Sequence, residues 1–176
     1  MKAMRAAAFW KAVTVDRSNV LERFFDVLRR HDVPFCLIGG QALNAYVEPV
    51  VSLDLDVVVA ADRIADIEGL LSGTFHLERF PHSLDVSDED SSLRIQIQLD
   101  ARYAAFVDRA TTRPVLGFDL PVAALDDILR GKIWAAQDET RRGSKRQKDL
   151  ADIARVLERY PELRSSVPSD ILTRLV

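Results

Sequence analysis

The stretch Phe35-Cys36-Leu37-Ile38-Gly39-Gly40-Gln41-Ala42-Leu43-Asn44-Ala45-Tyr46, with Ser52-Leu53-Asp54-Leu55-Asp56 soon after it, decides how this chain folds. Residues 35–38 are wholly apolar and closed by two glycines, the pattern of a buried strand feeding a tight turn. Gln41 to Tyr46 then reads as a helix that Pro49 stops, and the Val-rich run from Leu53 to Ala60 reads as the next strand. Side chains alternate along a strand, so Asp54 and Asp56 project from one face about 7 Å apart. Two carboxylates so placed suit a hard cation such as Mg²⁺, which binds carboxylate oxygens and keeps positions open for water and phosphate. The glycines let backbone come close to a triphosphate, and the start of the following helix offers it N–H groups and a positive dipole end. Alone, an Asp-x-Asp is usually a solvated strand edge and a Gly-Gly a turn. The order strand, glycine turn, helix, strand joins them into one candidate site.

Working outward, Asp16 or Ser18 is placed to cap a helix whose apolar positions Val20, Leu21, Phe24, Phe25 and Leu28 recur at helical spacing. It ends near His31-Asp32, before Pro34. On the other side, Asp62 caps a helix to about Leu71, and Thr74 to Phe80 and Ser92 to Leu99 read as strands. The polar connection between them, with Asp85, Asp88, Glu89 and Asp90, reads as a solvated turn. Ala101 to Arg109 resembles a short helix, Pro114 to Leu120 an edge strand, and Leu125 to Gln137 a clear helix. Gly143 and Ser144 break the chain before a last long helix, Arg146 to Tyr160, striped by Leu150, Ile153, Leu157 and Tyr160. Strands interleaved with helices, then helices alone, predict an α/β fold: a small mixed sheet flanked by helices, with a C-terminal helical layer. The expected organisation is a single domain over 1–176, with an N-terminal helical segment (1–32), a sheet-containing core (33–120) and C-terminal helices (121–176).

Composition agrees. The chain has 176 residues, 48% hydrophobic and 29% charged, with a net charge of −3. That is enough to bury one core, too little charge to force disorder, and no surplus of cations for a protein that coats nucleic acid. The single Cys36 lies in an apolar run, so no internal disulfide forms and a reducing cytoplasm fits best. No apolar run approaches the ~20 residues of a membrane span. Lys11 interrupts the apolar part of Met1–Val13, which disfavours a signal peptide. No membrane partner is expected.

Two further features bear charge where packing would prefer none. Lys132 falls near the centre of the apolar stripe formed by Leu125, Ile128, Leu129 and Ala136. Either its stem covers apolar surface while the ammonium reaches solvent, or it is a point charge aimed at a phosphate. In the second role, its replacement by Met should leave stability unchanged or higher. Arg141, Arg142, Lys145, Arg146 and Lys148 form a cluster that is either a solvated face or a grip on an acceptor. His31, His76 and His82 have no metal-ligand spacing, and Trp10 and Trp134 read as packing residues.

The segments Ile38–Tyr46 and Ser52–Asp56 resemble the signature of the DNA polymerase β-like nucleotidyltransferase superfamily, and within it the small bacterial AbiEii-like nucleotidyltransferases. The resemblance runs from Phe35 to Leu157 and implies the nucleotidyltransferase fold, with transfer of a nucleotide from an NTP using Mg²⁺ (or Mn²⁺). It implies Gly39, Gly40 and Ser52 as nucleotide-binding positions and Asp54 and Asp56 as catalytic metal ligands. Gly131-Lys132-Ile133-Trp134-Ala135 is similar to the segment that carries a phosphate-binding Lys. Lys148-Asp149-Leu150-Ala151-Asp152-Ile153 resembles the C-terminal motif, which implies Asp149 near the active site, positioning either Lys132 or the acceptor. Many members carry a third Asp on a later strand. Here Asp100 has the right alternation to be a third metal ligand, with Gln96 or Gln98 as rivals for that spot; otherwise two carboxylates suffice with Asp149 or an acceptor-borne group assisting. Where related sequences often carry a Gly after the Tyr and an Arg before the Asp pair, this chain has Val47 and Val50. The implied acceptor is a hydroxyl of a protein, a tRNA end or a small molecule, so RNA and a partner protein are candidate partners beside the NTP. The competing expectation is a catalytically weak nucleotide- or partner-binding relative, such as a toxin–antitoxin component.

Overall fold

The structure, a computed structural model, describes residues 19–175. The expected caps Asp16 and Ser18, Trp10 and the Met1–Val13 segment lie outside the described residues. Helix α1 (Val20–Arg30) buries Val20, Leu21, Phe24, Phe25, Val27 and Leu28. Its turn-by-turn apolar spacing is what the sequence predicts, because a helix repeats every 3.6 residues. Strand β1 (Phe35–Ile38) is buried at all four residues, and β2 (Asp54–Val59) pairs with it antiparallel, Ile38 opposite Asp56. Between them lies a short helix, α2 (Gly39–Leu43). The expected helix over 41–46 is thus shorter and begins earlier, and with five residues it supplies little macrodipole.

Helix α3 (Ile64–Leu71) follows a short 3₁₀ turn at Ala61–Arg63 and leads to β3 (His76–Arg79), β4 (Ser83–Ser87) and β5 (Arg94–Gln98). Strand β4 corrects the turn expected around Asp85. Leu84 and Val86 are buried while Asp85 faces the other way, and only Asp88, Glu89 and Asp90 remain in the connection. Two apolar residues in a polar setting are too weak a local signal; pairing with β3 and β5 satisfies the backbone and makes the strand.

The short helix expected over Ala101–Arg109 is a 3₁₀ helix, and the expected single strand over 114–120 is a hairpin of β6 (Thr111–Val115) and β7 (Phe118–Val122). Its turn residues Leu116 and Gly117 have φ of 54° and 87°, the left-handed pair that suits the strand twist, although Leu-Gly is not a usual turn dipeptide. The seven strands run β3-β4-β5-β2-β1-β7-β6 in one mixed sheet. Pro114 sits on the edge strand β6, where no ladder N–H is required. Helices α4 (Leu125–Gln137) and α5 (Gly143–Arg159) pack together, followed by a 3₁₀ turn (Pro161–Ser166) and α6 (Ser169–Leu172). Gly143 and Ser144 open α5 rather than break the chain before it.

Candidate active site

The central strands set the first part of the site. Along β2, Leu55, Val57 and Val59 are buried, so Asp54 and Asp56 take the opposite face, each partly exposed. Gly39, the first residue after β1, has φ 69°, and a Cβ there would stand 2.9 Å from Asp56 Cγ and closer still to its Oδ2. Glycine is therefore required twice, by the left-handed backbone and by the approach of the carboxylate. Gly39→Ala should cost roughly 1–3 kcal/mol of stability and remove activity by displacing Asp56, read by thermal melts and nucleotide binding.

Gly40 lies on Ser52, whose Oγ would be 3.4 Å from a Cβ there. Ser52 itself is buried, donating its hydroxyl to the Asp54 carbonyl at 3.3 Å. Its own carbonyl accepts Gln41 Nε2 at 2.7 Å. Asn44 adds a two-way link to the Val50 backbone, at 2.8 and 3.0 Å, and Arg155 reaches from α5 to Asn44 Oδ1 and the Glu48 carbonyl. Gln41, Asn44 and Arg155 thus clamp the loop that delivers Asp54. Gln41 and Asn44 belong to α2 and its C-terminal end and Arg155 to α5, so their convergence on this loop is visible only in three dimensions. Val47 is buried in the core, and Val50 is exposed on this clamped loop.

The second part comes from α4 and α5. A pocket opens between the sheet and these helices, lined among others by Gly39, Asp56, Gln96, Tyr103, Lys132 and Arg141. Lys132 Nζ lies 3.0 Å from Asp149 Oδ1 and 2.7 Å from Asp152 Oδ2, all three residues buried. Burial opposes the charge on Lys132, but Asp152 and Asp149 together outweigh it and hold the ammonium above its ordinary value. Arg141 Nε donates to Asp149 Oδ2 at 2.7 Å, and Arg155 Nη1 to Asp152 Oδ1 at 2.8 Å. The result is one chain of alternating charge, Arg141–Asp149–Lys132–Asp152–Arg155. The structure excludes the reading in which the ammonium reaches solvent: the stem is packed, and the ammonium is caged by two carboxylates at the pocket it lines. Of the cation cluster, Arg141 turns into the pocket, Lys145 is half-buried and acts on Asp56 through its charge, and Arg142 and Lys148 stay exposed.

Asp56 faces this positive side. Burial raises its pKa, Asp54 adds to the rise, and Lys132, Arg141 and Lys145 oppose it without cancelling it. An ionised carboxylate under that strain, two residues from a second one, fits a hard divalent cation as its missing counter-charge. Asp100 does not join the pair. The residue opposite Asp56 on β5 is Gln96, and Asp100 lies four positions further on, roughly 13 Å at ~3.3 Å per residue. There it caps the 3₁₀ segment at the Arg102 N–H and binds the Arg102 guanidinium at 2.8 and 3.0 Å. Among the described residues no group of three or more His, Cys, Asp or Glu is arranged to hold a metal.

Asp127 also lines the pocket, tied by both oxygens to Arg109 at 2.8 Å. The histidines are exposed, Trp134 packs on Phe106 and Tyr103, and burial pushes the Cys36 thiol up to about 12, an inert structural thiol. Among the described residues no helix is long and apolar enough to cross a membrane.

With this geometry in place, the sequence matches a family model described as nucleotidyl transferase AbiEii toxin, type IV TA system, over residues 21–174. The chain belongs to the AbiEii nucleotidyl transferase family. A comparison with curated protein sequences finds no match. Solved structures agree on the fold of this AbiEii member. ANT(2'')-Ia in complex with adenylyl-2''-tobramycin is 14% identical with TM-score 0.57, covering 89% of this chain and 97% of that one. The lincosamide antibiotic adenylyltransferase LnuA, lincomycin-bound, is 12% identical with TM-score 0.53, covering 79% and 97%. A putative nucleotidyltransferase from Thermotoga maritima is 14% identical with TM-score 0.51, covering 76% and 91%. The AbiEii chain is accordingly a nucleotidyltransferase in fold and in enzyme class.

Proposed function

We propose that this chain transfers a nucleotide from an NTP to an acceptor hydroxyl, with Mg²⁺ or Mn²⁺ held by Asp54 and Asp56. The observation that carries the reading is the strained Asp56 carboxylate packed on Gly39 and facing Lys132 and Arg141 across the pocket. When bound, the cation supplies Lewis-acid stabilisation of the phosphate oxygens. The chain does the rest. Backbone at Gly39 and Gly40 leaves room for phosphates beside Asp56, and Arg141 and Lys132 place positive charge where charge builds up during transfer. Asp149 and Asp152 keep Lys132 protonated and immobile, so Asp149 acts as a positioning residue. In the reaction the acceptor hydroxyl oxygen bonds to the α-phosphorus as its proton passes to water, the bond from the α-phosphorus to the oxygen bridging it to the β-phosphorus breaks, and pyrophosphate leaves.

The names of ANT(2'')-Ia and LnuA associate this fold with small-molecule acceptors, and the family description associates it with a toxin. We place the chain in the cytoplasm, where NTPs are abundant, as the toxin of a toxin–antitoxin pair. The test incubates the protein with each α-labelled NTP, Mg²⁺ and a cell extract, with Asp56→Asn as control. Label in RNA, protein or a small molecule names the acceptor class. Gln96, opposite Asp56, cannot accept a proton, which favours one second reading: a relative that binds nucleotide without turnover. Metal-dependent NTP binding with no labelled product would establish it and overturn the transferase assignment.

A further inference from the structure

Three strands bring their polar positions to one face of the sheet beside the Asp pair. On β2 these are Asp54 and Asp56, on β5 Arg94 and Gln96, on β4 Asp85. Register places Asp54 opposite Arg94, Asp56 opposite Gln96, and Gln96 opposite Asp85. Gln96 Nε2 donates to Asp85 Oδ1 at 3.0 Å, which holds that carboxylate in line. Arg94 works as a fork: Nη2 lies 3.2 and 3.3 Å from the two Asp54 oxygens, while Nη1 lies 3.6 Å from Asp85 Oδ2. One cation thus bridges a carboxylate of the nucleotide site and a carboxylate outside it.

This geometry has a consequence for metal binding. A divalent ion seated on Asp54 and Asp56 would draw on the same Asp54 oxygens and stand within a few ångströms of a guanidinium of like sign. Ion and Arg94 therefore compete. The competition need not expel Arg94, because Nη1 remains tethered to Asp85 when Nη2 lets go of Asp54. The released N–H groups then stay at the edge of the site, in the fork geometry that matches phosphate oxygens. A triphosphate arriving with the metal gives Arg94 a new partner and relieves the repulsion.

We propose that Arg94 couples metal loading to nucleotide binding: it competes with the cation for Asp54 and exchanges that carboxylate for a phosphate oxygen when a metal–NTP complex enters. The inference rests on the nucleotidyltransferase reading of this site. Asp85 is the anchor that makes the exchange local, a positioning residue with no contact to the reacting atoms.

The test uses the full chain and Mn²⁺ as probe, followed by its electron paramagnetic resonance signal, in wild type, Arg94→Met and Arg94→Lys. Arg94 is close to half exposed, so both variants should melt within a few degrees of wild type. Without nucleotide, Arg94→Met should bind Mn²⁺ about 5-fold more tightly, and Arg94→Lys, which keeps the charge but not the fork, less than 2-fold more tightly. At saturating Mn²⁺, non-hydrolysable analogues of the four NTPs should bind Arg94→Met about 5-fold or more weakly. Unchanged or weaker Mn²⁺ binding by Arg94→Met overturns the proposal, and so does unchanged nucleotide affinity. Wild type that takes up neither Mn²⁺ nor any nucleotide analogue overturns instead the functional reading beneath it.

Discussion

Lys132→Met is expected to destabilise the protein by about 3–5 kcal/mol, a large share of the 5–15 kcal/mol that holds an ordinary domain together. The cause is electrostatic. Met fills the volume of the stem but leaves Asp149 and Asp152 facing each other in a buried pocket, with only Arg141 and Arg155 at the ends of the chain to balance them. Breaking a buried pair costs more than the pair itself contributes, because the remaining carboxylates lose their counter-charge without regaining water. This reverses the sequence expectation of unchanged or higher stability. The check is chemical denaturation of Lys132→Met and of a compensated triple variant, Lys132→Met with Asp149→Asn and Asp152→Asn, which should recover most of the loss. Equal stability of wild type and Lys132→Met would contradict the charge network.

Asp56→Asn should have the opposite effect on stability and a larger one on function. Loss of a metal ligand should lower transfer by at least about 100- to 1,000-fold, since several kcal/mol of charge stabilisation go with the ion. The same change should raise the melting temperature of the metal-free protein at neutral pH. The folded protein binds the Asp56 proton more tightly than the unfolded chain does, so the contribution of this carboxyl to stability falls as pH rises from about 4 through the raised folded value. Lys132, Arg141 and Lys145 oppose the rise and Asp54 adds to it. Wild type and variant should therefore have similar stability near pH 4 and diverge above it, and saturating Mg²⁺ should narrow the gap by stabilising wild type alone. Melts against pH with and without Mg²⁺ decide it; a variant that melts lower than metal-free wild type at pH 7.5 would show that Asp56 is not strained.

Legibility differs from element to element for definite reasons. Helix α4 matches its expected bounds at both ends, and β1 was plain as four apolar residues closed by glycines. The shared face of Asp54 and Asp56 follows from strand alternation alone. Strand β4 was not legible, because its short apolar signal acquires meaning only through the register with β5. The left-handed turn at Leu116-Gly117 departs from the usual turn dipeptides, and so a hairpin looked like one strand. Asp100 has the correct alternation but the wrong distance, since alternation repeats every two residues and cannot say which repeat lies beside the metal ligands.

Periodicity and local chemistry are properties of consecutive residues, and they were sufficient to determine the α/β class, the glycines that close β1 and the shared face of the Asp pair, while the family came from the resemblance of the segments Ile38–Tyr46 and Ser52–Asp56. Tertiary structure decided the partners of charge, including which of the implied roles Asp149 takes up. Lys132 meets Asp149 across two helices, Arg94 meets Asp54 across two strands, and Arg155 clamps a loop more than a hundred residues away. The physical reason is that a charge is silent in sequence until burial strips its water: only then does the lowered dielectric make the choice of neighbour decisive.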